Sequence, residues 1–243
     1  MDILPQQPEE NLRRVTAFAG KAAGQGCQLV VLPELWPTGF DISRCREWAT
    51  GIEAGVFRQM SRLAAQHKIF LQAGSMFSAR RGKYYNTAAM FDPEGQRLGS
   101  YDKRHLFSFM REPELLSPGR RYTLYRLPWG LAGQSICYDL RFPELYRAYV
   151  RRGGEGFFVP AGWPEARIEH WRALLRARAI ENQAFVLGVN RAGSEGDLIF
   201  GGHSAVIDPL GKVLAEAGEK EQILFCEIDW TMVEKSREQF PAL

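Results

Sequence analysis

Hydrophobic residues recur along this chain at two spacings, one helical and one strand-like. In residues 9–24 the apolar positions follow one another at helical intervals, which predicts an amphipathic helix. Residues 27–33 form a continuous apolar run closed by Pro33, as is typical of a strand buried on both faces. The chain therefore opens with a helix followed by an interior strand.

The same two spacings alternate through the remaining sequence. Helical spacing predicts further helices at residues 57–67, 143–152 and 168–182. Short apolar runs predict strands at residues 69–75, 85–91, 97–101, 122–127, 134–138, 156–159, 184–190, 204–208 and 222–229. This alternation predicts an α/β protein whose sheets are covered by helices.

A short internal repeat refines that prediction. Residues 90–98 (MFDPEGQRL) resemble residues 206–214 (VIDPLGKVL), and Asp-Pro-x-Gly is typical of a type I turn between strands. Two such hairpins indicate two similar halves, each a sheet with helices on one outer face. Joining the bare faces of the two sheets gives a four-layer α-β-β-α sandwich, which we expect to be a single domain spanning residues 1–243.

Composition and charge exclude several classes of protein. The 243 residues are 45% hydrophobic and 24% charged, the balance of an ordinary globular protein, and the net charge is only +3. Basic residues form no run beyond pairs such as Arg151 and Arg152, so we expect no nucleic-acid partner. No apolar stretch approaches the roughly 18–20 residues that span a bilayer, and the amino terminus does not resemble a signal peptide.

The four cysteines, Cys27, Cys45, Cys137 and Cys226, are widely scattered. They form no Cys-x-x-Cys pair and have no histidine at metal-ligand spacing. Isolated thiols in a chain of this length fit a reducing compartment, so we expect a cytoplasmic protein. The sequence also has no phosphate-binding or dinucleotide-binding loop, and we expect neither a metal nor an organic cofactor.

Three reactive side chains follow predicted strands. Glu34 comes directly after the first strand, Lys103 ends the strand at 97–101, and Cys137 ends the strand at 134–138. In α/β folds reactive groups gather at the carboxyl ends of strands. The three residues could therefore form a nucleophile with its activators.

Each of the three has a distinct chemical task in this hypothesis. The Lys103 ammonium favours the thiolate of Cys137 and stabilises the oxyanion formed when sulfur attacks a carbonyl, together with the backbone N–H of Tyr138. Glu34 takes the thiol proton, gives it to the leaving amine and then activates water. Taken singly, Glu34 and Lys103 also read as an ordinary turn carboxylate and a solvated charge.

Two alternatives stay open at this point. A histidine could serve as the base, although His67 and His170 look helical and peripheral, His105 is expected to point away from Lys103, and only His203 precedes a strand. Asp139 and Arg141 fit a local ion pair or contacts at a helix start rather than chemistry.

Taken together, the motifs around these residues resemble the nitrilase superfamily of carbon–nitrogen hydrolases. The resemblance covers nearly the whole chain, in the family's order. It rests on the segments LPELWPTGF (32–40), YDKRHLF (101–107) and CYDLRFPE (137–144), and on PAGWP (160–164), RARAIENQ (176–183) and GHSAVIDP (202–209).

The resemblance implies the α-β-β-α sandwich and a catalytic Glu34–Lys103–Cys137 triad. It also implies a second glutamate that helps to position substrate, for which the spacing back from Ser-Pro-Gly favours Glu112 over Glu114. Members of the family usually begin with a strand, which we expect to be missing from this chain. They usually pair as homodimers through an outer helix, here residues 168–182.

Within the family, the residues that follow Glu34, Lys103 and Cys137 look closest to the ω-amidase-like branch. That branch hydrolyses 2-oxo acid ω-amides such as 2-oxoglutaramate to the acid and ammonia. Phe40 and Trp163 are candidate pocket walls, and Arg141 is a candidate partner for a substrate carboxylate; packing or a structural ion pair is the alternative for all three. Amidase action on deaminated glutathione or an N-carbamoyl compound, and a non-catalytic binding module, remain alternatives.

Overall fold

The computed structural model describes residues 1–243. Seven α-helices are present: α1 (Pro8–Gly24), α2 (Cys45–Trp48), α3 (Gly55–His67), α4 (Glu112–Leu115), α5 (Pro143–Val150), α6 (Ile168–Asn182) and α7 (Met232–Gln239). One-turn 3₁₀ helices occur at Ile42–Arg44, Ser108–Met110, Cys137–Arg141 and Glu165–Arg167. The helices predicted at residues 9–24, 57–67, 143–152 and 168–182 correspond to α1, α3, α5 and α6.

Twelve strands form two main sheets and one small hairpin. The first sheet has the order β1-β2-β3-β4 and the second the order β12-β11-β8-β7-β6-β5, while β9 and β10 pair with each other. The strands are β1 (Leu29–Val31), β2 (Phe70–Arg80), β3 (Lys83–Phe91), β4 (Arg97–Asp102), β5 (Leu124–Leu127), β6 (Gly130–Gln134), β7 (Gly156–Ala161), β8 (Phe185–Asn190), β9 (Ser194–Glu195), β10 (Leu198–Ile199), β11 (Ala205–Ile207) and β12 (Val213–Glu216).

Three apolar clusters show how these elements stack. One joins α1 and α3 to the outer face of the first sheet, through residues such as Val15 and Met60. A second joins α5 and α6 to the outer face of the second sheet, with Tyr146 and Leu175 among its members. The third lies between the sheets and includes Met90 of β3. The result is the predicted four-layer α-β-β-α sandwich.

The internal repeat of the sequence is also a structural repeat. Asp92, between β3 and β4, accepts hydrogen bonds from the N–H groups two and four residues further on, at 3.0 and 2.8 Å. Asp208, between β11 and β12, accepts the equivalent pair at 2.9 Å each. Both hairpins shift register at the strand end before the turn. The same turn therefore closes one hairpin in each sheet, as predicted.

Two of the strand predictions are wrong: one strand lies earlier in the chain than predicted, and another does not form. The strand predicted at 134–138 ends at Gln134, so Cys137 opens a 3₁₀ turn instead of ending a strand. Residues 222–229 alternate like a strand but form none, because no backbone N–H or carbonyl between Gln222 and Ile228 pairs with another backbone group. Alternation of apolar and polar residues indicates that one side of a segment can be buried, but a strand also needs a neighbouring strand with which to form hydrogen bonds.

The strand predicted to be buried on both faces, β1, is instead half-buried along its length. It pairs only with β2, and no strand precedes α1, where the backbone makes an isolated bridge between Asp2 and Ala192. A mainly apolar cavity of 860 Å³ lies beside β1, lined also by residues 222–228. The free edge of β1 faces this cavity.

None of the seven α-helices is both long and apolar enough to cross a membrane.

Candidate active site

Glu34 is held by a tight turn that follows β1. Leu35 takes a left-handed conformation, with φ of 45°, and its N–H donates to Ser75 Oγ at 3.1 Å. Across the turn, Gly74 has φ of 63°, and a Cβ there would lie 2.1 Å from the carbonyl oxygen of Pro33. A glycine is therefore needed at position 74, because a side chain would push the backbone next to Glu34 out of place.

The Glu34 carboxylate is completely buried and fully hydrogen-bonded. Oε1 accepts from Lys103 Nζ and from Asn86 Nδ2, both at 2.9 Å, and Oε2 accepts from the backbone N–H of Gly162 at 3.0 Å. Three donors on a buried carboxylate offset the cost of removing it from water and fix its orientation.

Lys103 follows β4 and is equally buried. Its ammonium donates to Glu34 Oε1 at 2.9 Å and to Glu112 Oε1 at 2.8 Å. Burial on its own lowers the pKa of Lys103, but the carboxylates of Glu112 and Glu34 outweigh burial and raise it well above its ordinary value. Lys103 is therefore a permanent cation at any pH at which the protein works.

Glu112 opens α4 and accepts a second hydrogen bond from Lys103. Its second oxygen accepts from the Phe107 N–H at 2.7 Å. Burial raises the pKa of Glu112, with a further contribution from the charge of Glu34, and Lys103 only partly opposes this. Two buried carboxylates thus share one ammonium, whereas Glu114 is exposed and pairs with Arg111.

Cys137 begins the 3₁₀ turn Cys137–Arg141 in a left-handed conformation, with φ of 44°. The thiol lies within hydrogen-bonding reach of the Glu34 carboxylate and of the Gly162 N–H, and it is close enough to Lys103 to feel its charge. A non-glycine residue at positive φ is uncommon and is often found at functional sites. The structure therefore brings Glu34, Lys103 and Cys137 together.

Opposing influences act on the charge state of the thiol. Burial and the Glu34 carboxylate raise the pKa of Cys137 well above its ordinary value, and the opposing influence of Lys103 is smaller. The Lys103 ammonium does favour the thiolate, as expected, but its effect on the pKa is smaller than the combined effect of burial and Glu34. The resting group is the thiol, so a base has to remove its proton during attack, and Glu34 is in contact with it.

The remaining predicted site residues surround this group. The N–H of Tyr138 lies in the first turn of the 3₁₀ helix, where helix N–H groups lack acceptors inside the helix. The Phe40 ring stacks on Phe200, with ring centroids 5.4 Å apart, and lies so close to Gly162 that a Cβ there would come within 2.2 Å of it. Phe40 therefore packs directly behind the N–H that binds Glu34.

Trp163 is buried beside the same loop, and its indole N–H donates to the Arg167 carbonyl at 2.8 Å. The Arg141 guanidinium lies 4.9 Å from the centre of the Trp163 ring and forms no ion pair with a carboxylate. The prediction of a local ion pair between Arg141 and Asp139 is therefore wrong, because the Asp139 carboxylate accepts hydrogen bonds from other donors instead. Its contact at the helix start is confirmed by the Ile136 N–H, which donates to Asp139 at 3.0 Å.

The family model for carbon–nitrogen hydrolases matches residues 1–238. The chain belongs to this family. It is 39% identical to a 2-oxoglutaramate amidase of Bacillus subtilis over 99% of this chain and 92% of the relative. It is 34% identical to an omega-amidase of Homo sapiens over 96% and 87% of the two chains. The chain is thus a hydrolase of carbon–nitrogen bonds.

A crystal structure shows the same fold. A carbon–nitrogen hydrolase superfamily protein of Xanthomonas campestris, which carries an arsenic adduct in its active site, superposes with a TM-score of 0.92 at 33% identity. The match covers 99% of this hydrolase and 92% of the other chain. The predicted nitrilase-type sandwich is therefore confirmed.

Several residues of this hydrolase site were not anticipated from the sequence. Asn86, in the middle of β3, carries no local motif and was missed although it binds Glu34. His105 was expected to point away from Lys103, and its contact with Asp139, at 2.7 Å from the ring, was not anticipated. Glu195, on β9, accepts from the Phe40 N–H at 2.9 Å and from Arg191 at 2.6 Å. All three are contacts between distant segments, which spacing along the chain does not reveal.

Proposed function

We propose that this hydrolase converts a small carboxylic-acid amide, a 2-oxo acid ω-amide such as 2-oxoglutaramate, to the acid and ammonia through a thioester on Cys137. The observation that carries the proposal is the buried Lys103 ammonium, bonded to two carboxylates beside a thiol that Glu34 contacts. The similarity to a 2-oxoglutaramate amidase and an omega-amidase favours this substrate class.

Acylation starts with transfer of the thiol proton to Glu34 while sulfur attacks the amide carbon. The carbonyl oxygen becomes an oxyanion, which Lys103 Nζ and the Tyr138 N–H stabilise. Glu34 then gives its proton to the nitrogen, the carbon–nitrogen bond breaks, and ammonia leaves a thioester behind. Because Cys137 rests as a thiol, a base that already touches it is an essential part of this step.

Deacylation reverses the order of the proton transfers. Glu34 removes a proton from water as its oxygen attacks the thioester carbon, and the same oxyanion site stabilises the second tetrahedral intermediate. The carbon–sulfur bond then breaks, the acid is released, and the proton returns to sulfur. Lys103 stays an ammonium throughout, and Glu112 helps to hold it in place by accepting a hydrogen bond from Nζ.

Pocket residues set which amide enters. We assign Phe40 and Trp163 as walls and Arg141 as the group that meets the substrate carboxylate. Arg141 suits this task because it lies over Trp163, is three residues beyond Tyr138, and forms no ion pair with a carboxylate of the protein. A free guanidinium can bind a carboxylate through two parallel hydrogen bonds.

The test is ammonia release from 2-oxoglutaramate, glutamine, an N-carbamoyl amino acid and a nitrile, measured in parallel. We expect release from 2-oxoglutaramate, little from the nitrile, and none from any compound after Cys137→Ala. Turnover that survives this substitution would exclude the thioester route. Preference for the N-carbamoyl compound would be compatible with the thioester mechanism but would contradict the proposed substrate class.

We also propose that the hydrolase is a cytoplasmic homodimer that pairs through α6. Ile180 on α6 is 51% exposed and Leu210, in the neighbouring turn, is 66% exposed, so two large apolar side chains face outward there. Light scattering of the purified protein tests the proposal, and Ile180→Glu should shift a dimer to the mass of the monomer. A wild-type mass of 27.6 kDa would contradict it.

A further inference from the structure

Asp139 is a buried carboxylate that the mechanism above does not use. It is completely inaccessible to solvent and accepts four hydrogen bonds. Oδ1 accepts from the backbone N–H of His105 at 2.9 Å and meets the ring Nδ1 of His105 at 2.7 Å. Oδ2 accepts from Tyr101 Oη at 2.8 Å and from the Ile136 N–H at 3.0 Å.

The donors of these bonds flank two catalytic groups. Tyr101 and His105 lie two residues before and two residues after Lys103, and Ile136 directly precedes Cys137. Lys103 follows β4 of the first sheet, whereas Cys137 follows β6 of the second. One carboxylate therefore ties together the chain segments that carry the ammonium and the nucleophile, which otherwise belong to different sheets.

The surroundings make this tie rigid. The His105 ring stacks flat on Phe142, with ring centroids 3.7 Å apart and planes inclined by 7°. The Asp139 N–H donates back to the Ile136 carbonyl at 3.0 Å, which closes the turn around Cys137. A left-handed cysteine persists only where its surroundings hold it, and these bonds act on the residues on either side of it.

We propose that Asp139 is a positioning residue, which sets the distance between the Cys137 sulfur and Lys103 Nζ before substrate binds. The inference rests on the proposed amidase function. When sulfur attacks, the new oxyanion has to find the ammonium and the Tyr138 N–H already in place, because reorganisation during the reaction slows it. Asp139 touches neither substrate nor sulfur in this role and acts through its four donors.

The test is Asp139→Asn, which keeps the shape of the side chain but turns an amide N–H toward one pair of donors. We expect kcat for 2-oxoglutaramate to fall about tenfold to hundredfold with little change in KM, the size of effect that a misplacement of about 1 Å causes. The rate of Cys137 alkylation by iodoacetamide should also begin to increase at a lower pH than in the wild type. Burial and the Glu34 contact raise the pKa of Cys137, and both weaken when the thiol is no longer held in place.

Asp208→Asn is the matched control, since it also removes a buried carboxylate that accepts backbone N–H groups, but in the β11–β12 turn. It should lower the melting temperature and leave kcat and the alkylation profile unchanged. Tyr101→Phe removes one bond to Asp139 and serves as the second variant if Asp139→Asn does not fold; it should lower kcat about threefold to tenfold.

The proposal is overturned if Asp139→Asn loses stability but keeps the wild-type kcat and alkylation profile, or if Tyr101→Phe changes neither. Failure of the proposed function looks different. In that case the wild-type protein releases no ammonia from any amide, while the alkylation profiles of the wild type and the two variants still report whether Asp139 positions Cys137.

Discussion

The carboxylate of Glu34 and the ammonium of Lys103 meet at 2.9 Å with both side chains almost completely buried, although 69 positions separate them in the chain. Such a pair lies out of water only because further partners complete it: Asn86 and the Gly162 N–H on the carboxylate, Glu112 on the ammonium. Each of these partners can be altered separately.

Replacing the proposed base should separate thiol reactivity from catalysis. In Glu34→Gln we expect amide turnover to fall by about 10²–10⁴, the usual contribution of acid–base catalysis. The Glu34 carboxylate raises the pKa of Cys137, so its loss lowers that pKa and increases the thiolate fraction at pH 7. Alkylation of Cys137 at pH 7 should therefore be faster in the variant while turnover is slower. A parallel fall of both rates would contradict the assignment.

Removing the shared ammonium should cost both stability and activity. Lys103→Met leaves Glu34 and Glu112 buried without their cation, which typically destabilises a protein by about 3–5 kcal/mol. Without the cation, nothing offsets the burial that raises the pKa of Glu112, so this carboxyl group takes up a proton more readily in the folded than in the unfolded state. The variant should therefore be least stable, relative to wild type, at neutral pH and recover as the pH falls.

Urea unfolding at pH 5 and pH 8 measures this pH dependence, and Arg111→Met is the matched control. Arg111 forms an exposed ion pair with Glu114 on the same short helix, and its loss should leave stability nearly unchanged. An equal loss of stability at both pH values in Lys103→Met would mean that the ammonium does not favour the charged form of Glu112.

Gly74→Ala tests whether the turn at Glu34 requires a glycine. With φ of 63° and the Pro33 carbonyl 2.1 Å from the new Cβ, the substitution should destabilise the protein by about 1–3 kcal/mol and also lower kcat, because Glu34 moves with Pro33. Gly24→Ala is the control, since a Cβ at the end of α1 meets nothing within 4 Å. Thermal unfolding and ammonia release are measured on both; unchanged kcat in Gly74→Ala would show that the turn tolerates a side chain.

Arg141 should discriminate between charged and neutral amides. In Arg141→Gln we expect KM for 2-oxoglutaramate to rise about tenfold to hundredfold, the value of a hydrogen bond to a charged group, while the kinetics on a neutral amide such as butyramide stay the same. Arg172→Gln, which removes an ion-paired arginine from the outer surface of α6, is the control. An equal rise in KM for both amides would assign Arg141 to packing on Trp163.

The layers and the triad followed from local patterns and from motifs. Helical spacing placed α6 correctly, and the Asp-Pro-x-Gly turns at Asp92 and Asp208 revealed the two halves. Glu34, Lys103 and Cys137 stand out because each lies in its own motif. Those features are visible because they depend on neighbours along the chain.

What the sequence did not reveal depends on contacts between distant segments. Residues 222–228 have the alternation of a strand, yet their backbone forms no hydrogen bond with another backbone group. The pKa of Cys137 follows from the balance between burial, Glu34 and Lys103, which only distances can decide. Asn86 was missed for the same reason, because its partner Glu34 follows a different strand. The contacts of Asp139 with Tyr101 and His105 were also not anticipated, because they join segments that follow different sheets.

The position of β1 has a consequence for how this hydrolase loses activity. β1 is three residues long and is paired on one side only, whereas β7 is paired on both sides in the middle of its sheet. Amide protons of Leu29–Val31 should exchange with solvent well before those of β7. Because Glu34 follows β1 so closely, each detachment of this short edge withdraws the base from Cys137. On heating, the hydrolase should therefore lose activity at a temperature at which most of its secondary structure is still intact.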